Sequence, residues 1–573
     1  MAVTDNRTHL IDGENNNNVS GDSDAQPSSA TSDAGAVIEG TNAIAFQTDD
    51  AQEALLFDQD TGESTFSVNM SDMTVYMMVK YANGETFANL GGLVCLGDGA
   101  DGAGGDIVGY AVTGADVPGL PYDFRYGCMK LDVSVVVASP GTNNVDYYQY
   151  NGTEAGLNHN AILQVGYGTF GLVKAVSSAP NAWFDGFYYI ANDSYAASIT
   201  GGTVGTPETM ADVAGDDITD GMGMFNNPKG SEYGIFAPTE WGDDGTADSY
   251  FTSDSEQWYF IGDNQGGHAV GATHFPMRVV GNATGTNSWV ITNTVMVNTG
   301  TESQFDMSDS NMDTATMDGC TLIDFGTIQL PNATTKTTLN CAFLTCGEVT
   351  SNGGDMTGSK ILTPDIAANE AGLIWDLNQD PNGELDDMTF TKTSGTAHHA
   401  IEFGTSIPTS EITLTGIDFG TDFSASENTS PTAEAGDETF AFRDTTGTLT
   451  VNLVGCTGNF GFYSAGVVVT VSESVSVSFE AVDKTDAAIQ SVRVTAYLVS
   501  DDTEVINTTT NASGLATTSF GGSTPADVYY RYRKSSTGST KYVNLSGFGT
   551  IAVGTGLTIK RSMTEDSVAD PAI

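Results

Sequence analysis

Two stretches of the chain overlay on each other. Asp318-Gly-Cys-Thr-Leu-Ile-Asp-Phe-Gly-Thr-Ile328 matches Leu339-Asn-Cys-Ala-Phe-Leu-Thr-Cys-Gly-Glu-Val349 at an offset of 21 residues. Cys320 falls on Cys341, Leu322 on Phe343, Phe325 on Cys346, Gly326 on Gly347 and Ile328 on Val349. A period near 20 with apolar residues alternating inside it is what a parallel β-helix demands, because each rung turns short strands inward and stacks like on like. The pentapeptide Ile323-Asp-Phe-Gly-Thr327 returns as Ile417-Asp-Phe-Gly-Thr421 and nearly as Ile401-Glu-Phe-Gly-Thr405, and Gly319-Cys-Thr321 returns as Gly455-Cys-Thr457. The spacing of 16 between Ile401 and Ile417 breaks the strict period, so the β-helix expected over 301–472 is irregular.

The flanks have other textures. Residues 1–34 are rich in Asn, Ser, Asp and Gly and bury too little apolar surface to offset ordering, so they read as an arm that is flexible or ordered by a partner. Over 35–300, β-prone runs such as Met73-Thr-Val-Tyr-Met-Met-Val-Lys-Tyr81 and Gln257-Trp-Tyr-Phe-Ile261 are broken by Gly, Asn and Asp, with hardly any helical period. An antiparallel sandwich with long loops is expected there. Over 473–566, Ser474-Val-Ser-Val-Ser-Phe479 and Val492-Arg-Val-Thr-Ala-Tyr497 alternate as half-buried strands do, and a second, smaller sandwich is expected, followed by a tail at 567–573.

Charge divides the chain. Seventy-three acidic residues against 19 basic ones leave a net charge of -54 over 573 residues, which argues against nucleic acid or an anionic membrane as partner. From Ala481 onward eight basic residues meet nine acidic ones, so the first 480 residues carry -53 and the last module is nearly neutral. Arg531, Arg533 and Lys534 make that neutral end the expected place of protein contact. The N-terminus lacks a basic flank followed by an apolar core, and no run approaches 18 apolar residues, so synthesis in a cytoplasm without membrane insertion is expected. Six cysteines with no CxxC pair suggest buried thiols rather than a zinc site or disulfide scaffold.

Chemistry is sparsely signalled. Asp98, Asp101 and Asp106 lie in a Gly-rich loop that could fold around calcium, the one cofactor suggested; a mobile acidic loop competes with that reading. Asp376 to Glu384 begins like an EF-hand loop, but Pro381 occupies the position of the sharp-turn glycine. Trp183, Trp241, Tyr122 and Tyr126 are candidates for stacking on glycans, with core packing as the alternative. His398-His399 beside Glu402 and after Asp386-Asp387 is the densest titratable cluster, and a rung edge facing solvent is the plainer account of it. No residue qualifies as catalytic.

The order Ile38 to Phe46, then a Thr/Val/Met strand ending in Val79-Lys80, then Asp185-Gly-Phe-Tyr-Tyr189 resembles the concanavalin-like or laminin-G jelly roll. The Asn511-Ala-Ser-Gly-Leu-Ala516 turn resembles Ig-like and carboxypeptidase-regulatory-like modules. Together with the Gly-Cys-Thr and Ile-Asp-Phe-Gly-Thr rungs, the span 35–566 resembles virion structural proteins of tailed bacteriophages, particularly marine ones. That resemblance implies an all-β chain with an N-terminal jelly-roll sandwich, an irregular parallel β-helix and a C-terminal Ig-like β-sandwich. It implies a non-enzymatic tail fibre or spike with a lectin-like surface, located in the virion after cytoplasmic assembly and lysis. Other virion proteins and host glycans would be its partners, and a homo-oligomer, by default a trimer, its state. A capsid-surface decoration or head-fibre protein and a β-helix polysaccharide depolymerase are the alternatives.

Overall fold

The computed structural model describes residues 3–11, 19–21, 44–46, 52–57, 67–81, 87–99, 105–111, 126–133, 147–172, 182–191, 195–220, 225–227, 230–235, 239–242, 248–260, 277–281, 285–298, 304–375, 379–393, 395–405, 409–430, 432–521, 525–535, 540–552 and 556–567. It is an all-β protein, and the chain divides into two compact units, Met1–Asn352 and Gly353–Ile573.

The first unit begins with two antiparallel sheets. One pairs Phe87–Gly97 with Ile107–Ala111 and with Gln164–Leu172; the other pairs Met73–Tyr81 with Tyr126–Asp132 and with Ala182–Ala191. Their alternation buries Val94, Leu96, Val108 and Val165 in one sheet and Val75, Met77, Leu131 and Phe187 in the other. Residues 3–11 are more ordered than a free arm. Val3–Asp5 pairs antiparallel with Ala197–Ile199, and Thr8–Ile11 pairs with Ala182–Ala191. Between them Arg7 is buried, bonded to Asp5 at 2.8 Å and lying 4.2 Å above the Tyr188 ring. A buried cation with a carboxylate and an aromatic face for partners holds this segment down.

Parallel pairing starts earlier than residue 301. Ala197–Ile199, Thr239–Trp241, Met277–Val279, Gln304–Asp306, Thr327–Gln329 and Glu348–Ser351 form one parallel ladder. Glu232–Ile235, Gln257–Phe260, Val295–Asn298, Thr321–Ile323 and Ala342–Leu344 form a second. Ser249–Asp254, Asn287–Thr292, Thr314–Asp318 and Thr335–Leu339 form a third. The coils therefore take in about a hundred residues that sequence reading gives to the sandwich. Their strands looked like sandwich strands because aromatic residues fill these coils: Trp241, Phe251, Trp258, Trp289 and Phe305 stack inside with ring centroids 4.7 to 6.5 Å apart. Among the described residues there is one α-helix, Met210–Asp220, started by a capping box in which Thr209 and Asp212 exchange hydrogen bonds.

The offset of 21 appears in the pairing itself. Thr321 lies on Ala342, Leu322 on Phe343 and Ile328 on Val349. Each coil also turns a corner on a residue with positive φ. In the first unit these are Ser255, Asn293, Gly319 and Asn340, and in the second Gly358, Asp387, Gly416 and Gly455. The amide of Gly319 donates to the carbonyl of Leu339, and that of Gly416 to Val454, so each corner is tied to the coil that follows. Residues that tolerate the left-handed region without a large penalty, Gly, Asn and Asp, dominate these corners. The pentapeptides do not share one environment: Ile401 lies in a strand and Ile417 follows a corner, both fully buried, whereas Ile323 is only half-buried.

In the second unit, Ala371–Trp375, His399–Phe403, Phe440–Phe442 and Phe462–Ser464 make one parallel ladder. Glu411–Thr415, Thr448–Val454 and the first part of Val468–Val482 make another. The 15-residue strand Val468–Val482 then leaves the coils without a break. From Ser474 it pairs antiparallel with Leu515–Gly521, and from Val477 parallel with Leu557–Ser562, as a strand of the terminal sandwich. Val477, Phe479, Val494, Val528, Tyr530 and Tyr532 form the sandwich core. The boundary expected at 472 thus falls inside one strand.

Candidate functional site

Among the described residues, the densest charged cluster lies in the second unit, on the ladder formed by His399–Phe403 and Phe440–Phe442. Alternation along His399–Phe403 buries Ile401 and Phe403 and turns Glu402 outward, where its register partner Ala441 leaves room for Arg443. Arg443 donates to Glu402 Oε2 at 2.7 Å, to both oxygens of Glu434 at 2.8 and 2.9 Å, and to the Asn369 carbonyl at 3.0 Å. His399 is fully buried, with Nε2 2.6 Å from Glu434 Oε1 and Nδ1 2.8 Å from the Glu438 carbonyl oxygen. Glu438, also fully buried, accepts from the amides of Ala435 and Gly436 and from the Asn428 side chain. Burial alone would raise its pKa; the bond from Asn428 and those from the backbone more than offset that, and the carboxyl is held below its ordinary value. Arg443 is the only arginine between 353 and 480. It and Glu434 tie residues 434–438 to the coil face, and their polar atoms are occupied in doing so.

Beside this network His398 points the other way. It is buried, its ring packs edge-on against Phe423 with centroids 6.0 Å apart, and Nδ1 lies 3.1 Å from the His399 carbonyl. Among the described residues Nε2 has no hydrogen-bond partner. Lys392 covers the same Phe423 ring at 4.7 Å and donates to the Thr396 carbonyl. Burial lowers the His398 pKa from its ordinary 6.5, the backbone bond opposes this, and the charges of Lys392 and His399 add to the lowering. A base whose folded pKa is depressed contributes stability that is complete above the unfolded value and lost as pH falls toward the folded one. Acidification from pH 7 to 5 is therefore expected to lower the midpoint of thermal unfolding, with a His398 contribution of at most about 1.4 kcal/mol per pH unit. His398→Phe should flatten that slope, and a slope identical to the parent's would remove His398 from the account. Glu438 acts in a separate window, below its ordinary 4.5.

Of the other expected site residues, few are brought together. Asp98 Oδ1 accepts the Asp106 amide and Oδ2 the Asn158 amide, both at 2.8 Å, while Asp106 Oδ1 accepts the Thr153 amide at 2.6 Å. These carboxylates tie residues 98 and 106 to each other and to residues 153–158, and a Cβ on Gly152 would lie 1.7 Å from Asp106 Oδ1. Asp101 is outside the described residues, and among those described no three acidic, His or Cys side chains converge on a metal position. The EF-hand-like segment has Asp376 to Asn378 outside the described residues; Asp380 accepts from Asn382. Asp387 is a coil corner.

Trp241 is not a surface platform. It is 2 % exposed, stacked on Trp258 at 6.0 Å and 9° inside the coils, so the core alternative holds for it. Tyr122 lies outside the described residues; Trp183 and Tyr126 sit in register with Lys80 on strands whose side chains there are likewise outside them. Arg531 and Arg533 are exposed on Ala526–Lys534, and Lys534 donates to the Gln490 carbonyl at 2.8 Å. Cys95, Cys320, Cys341, Cys346 and Cys456 are buried thiols that form no disulfide among the described residues.

Sequence reasoning located His399 and Glu402 but missed Glu434, Glu438 and Arg443, which come from 35 to 41 residues away. The available signal was Arg443 itself, a lone arginine in an acidic stretch. Set against protein-family models, curated proteins and solved structures, the chain has no match.

Proposed function

We propose that the chain is a non-enzymatic structural protein of a tailed-bacteriophage virion, a tail fibre or spike whose surfaces contact other virion proteins or host glycans. The observation that supports this most is the strand Val468–Val482, which belongs to the coils at one end and to the terminal sandwich at the other. Seven register pairs on the coil side and seven on the sandwich side leave no hinge between the two. A junction of that kind suits a part that must hold a module in a fixed orientation. The charged cluster supports the same reading, since Arg443, Glu434 and Glu438 spend their bonds on fastening a loop. A net charge of -54 would keep many copies apart in solution before assembly.

Labelling purified phage particles with an antibody against this chain, and counting copies per particle, tests the proposal. Label at the tail with a few copies is the expected result. Hundreds of copies over the head would assign the chain to capsid decoration instead, and particles without label would end the virion reading.

A further inference from the structure

The outer face of the terminal sandwich is ordered by charge. Its four-stranded sheet runs Glu504–Thr509, Arg493–Leu498, Ala526–Lys534, Tyr542–Ile551. Val494, Ala496, Val528, Tyr530 and Tyr532 face the core, so the alternate residues face outward. Register aligns Tyr497, Tyr529 and Phe548 as one row across three strands. Phe548 is 76 % exposed, and the rings of Tyr497 and Tyr529 stack at 5.5 Å and 27°.

On one side of this row lie Arg531, opposite Thr495, and then Arg493 opposite Arg533. On the other side lie Asp527 and Asp502, while Glu504 is the register partner of Tyr497 at the end of the row. Asp502 takes the Tyr529 hydroxyl at 2.9 Å and Glu504 the Tyr497 hydroxyl at 3.4 Å, which fixes both rings before any partner arrives. Arg493 donates to Asn507 and Arg533 to Ser535, and among the described residues none of the three arginines has an ion pair. That is unusual where acidic residues outnumber basic ones by 73 to 19.

We propose that this face is a two-fold contact with a second copy of the same chain. A two-fold axis lying along the aromatic row carries the basic side of one copy over the acidic side of the other. The row packs on its own symmetry mate, and Arg531 meets the partner's Asp527 twice over. Three cations on one side of an apolar centre and two anions on the other make the face complementary to itself, which is the requirement of an isologous interface. Tyr, Phe and Arg are also the residues that concentrate binding energy at interface centres. Strands of six, six, nine and ten residues, about 4.8 Å apart, give roughly 500 Å² per copy, the low end for a specific interface, so a weak dimer is expected. The nearly neutral module is also where two chains of such charge can approach at least cost. The proposal does not depend on the virion reading.

Sedimentation velocity of the full chain tests it, from about 1 to 200 μM in about 0.5 M salt, where long-range repulsion is screened within about 4 Å. The parent protein should dimerise reversibly. Arg531→Glu and Asp527→Arg should each weaken the dimer at least about tenfold, since each places like charges opposite across the axis. Mixing the two single variants should restore association, because a mixed pair has both contacts complementary. Phe548→Ser should abolish the dimer while leaving the near-UV spectrum intact. A monomer at every concentration, association indifferent to Phe548→Ser, or failure of the mixture to recover would each overturn the proposal. So would a monomer that binds polygalacturonate through Phe548, which would assign the face to an acidic glycan.

Discussion

Gly347→Ala is expected to destabilise the first unit by more than about 4 kcal/mol, a loss reserved for a small class of substitutions. Gly347 has an ordinary backbone conformation, so the cost is one of space. A Cβ built there lies 1.4 Å from the carbonyl oxygen of Gly326 and 2.6 Å from its carbon, both backbone atoms of the neighbouring coil. Nothing flexible can give way. The Gly347 amide donates to the Phe325 carbonyl at 2.7 Å, and parallel pairs lie on either side of it, Leu322 with Phe343 and Ile328 with Val349. Separating the coils far enough for a methyl group would break that bond and strain both ladders. Gly205→Ala is the control, since nothing lies within 4 Å of its Cβ, and a change within about 0.5 kcal/mol is expected. Denaturant unfolding of the two variants decides the matter: equal midpoints would show that the coils part more easily than their backbone contact implies.

Trp258→Ala should cost about 3 to 5 kcal/mol. Trp258 is fully buried, flat against Trp241, and has Phe251 at 6.0 Å and Trp289 at 6.5 Å. Its indole nitrogen donates to Glu256 Oε2 at 2.9 Å. Glu256 is pushed to higher pKa by burial, against bonds from Trp258 and Ser253 that lower it. Removing the indole thus opens a cavity and strips a partly buried carboxylate of one donor. Trp258→Phe separates the two effects: it keeps most of the ring contacts and loses the N–H, so about 1 to 2 kcal/mol is expected. If phenylalanine proved as costly as alanine, the hydrogen bond rather than the stack would dominate this part of the core.

Coil stacking was legible where the repeat length was constant. Between Gly319 and Asn340 the corner-to-corner distance is 21 residues and nothing is inserted, so aligning the two segments located real register pairs. Between Ser255 and Asn293 it is 38, and between Asn293 and Gly319 it is 26. Those unequal intervals hid the earlier coils, and their aromatic strands looked like a sandwich. For Trp241 the sequence leaves two readings open: a large ring flanked by polar residues suits either a binding surface or a wide coil, and only neighbours brought by the ladder distinguish the two. The partners of His399 were invisible because local spacing carries no information about a ladder that joins residues about 40 apart. The outward aromatic row was missed because each of its members belongs to a different strand.

The positive-φ corners have a further consequence for how such a chain can change. The amides of Asn293, Gly319 and Gly416 each close on the residue just before the next corner, whatever number of residues lies between. Axial stacking and perimeter length are therefore independent variables. A coil can acquire or lose loop residues on its rim without disturbing its neighbours, provided the corner residue and its inward strands are kept. The rim is thereby free to diversify in length and sequence while the interior stays in register.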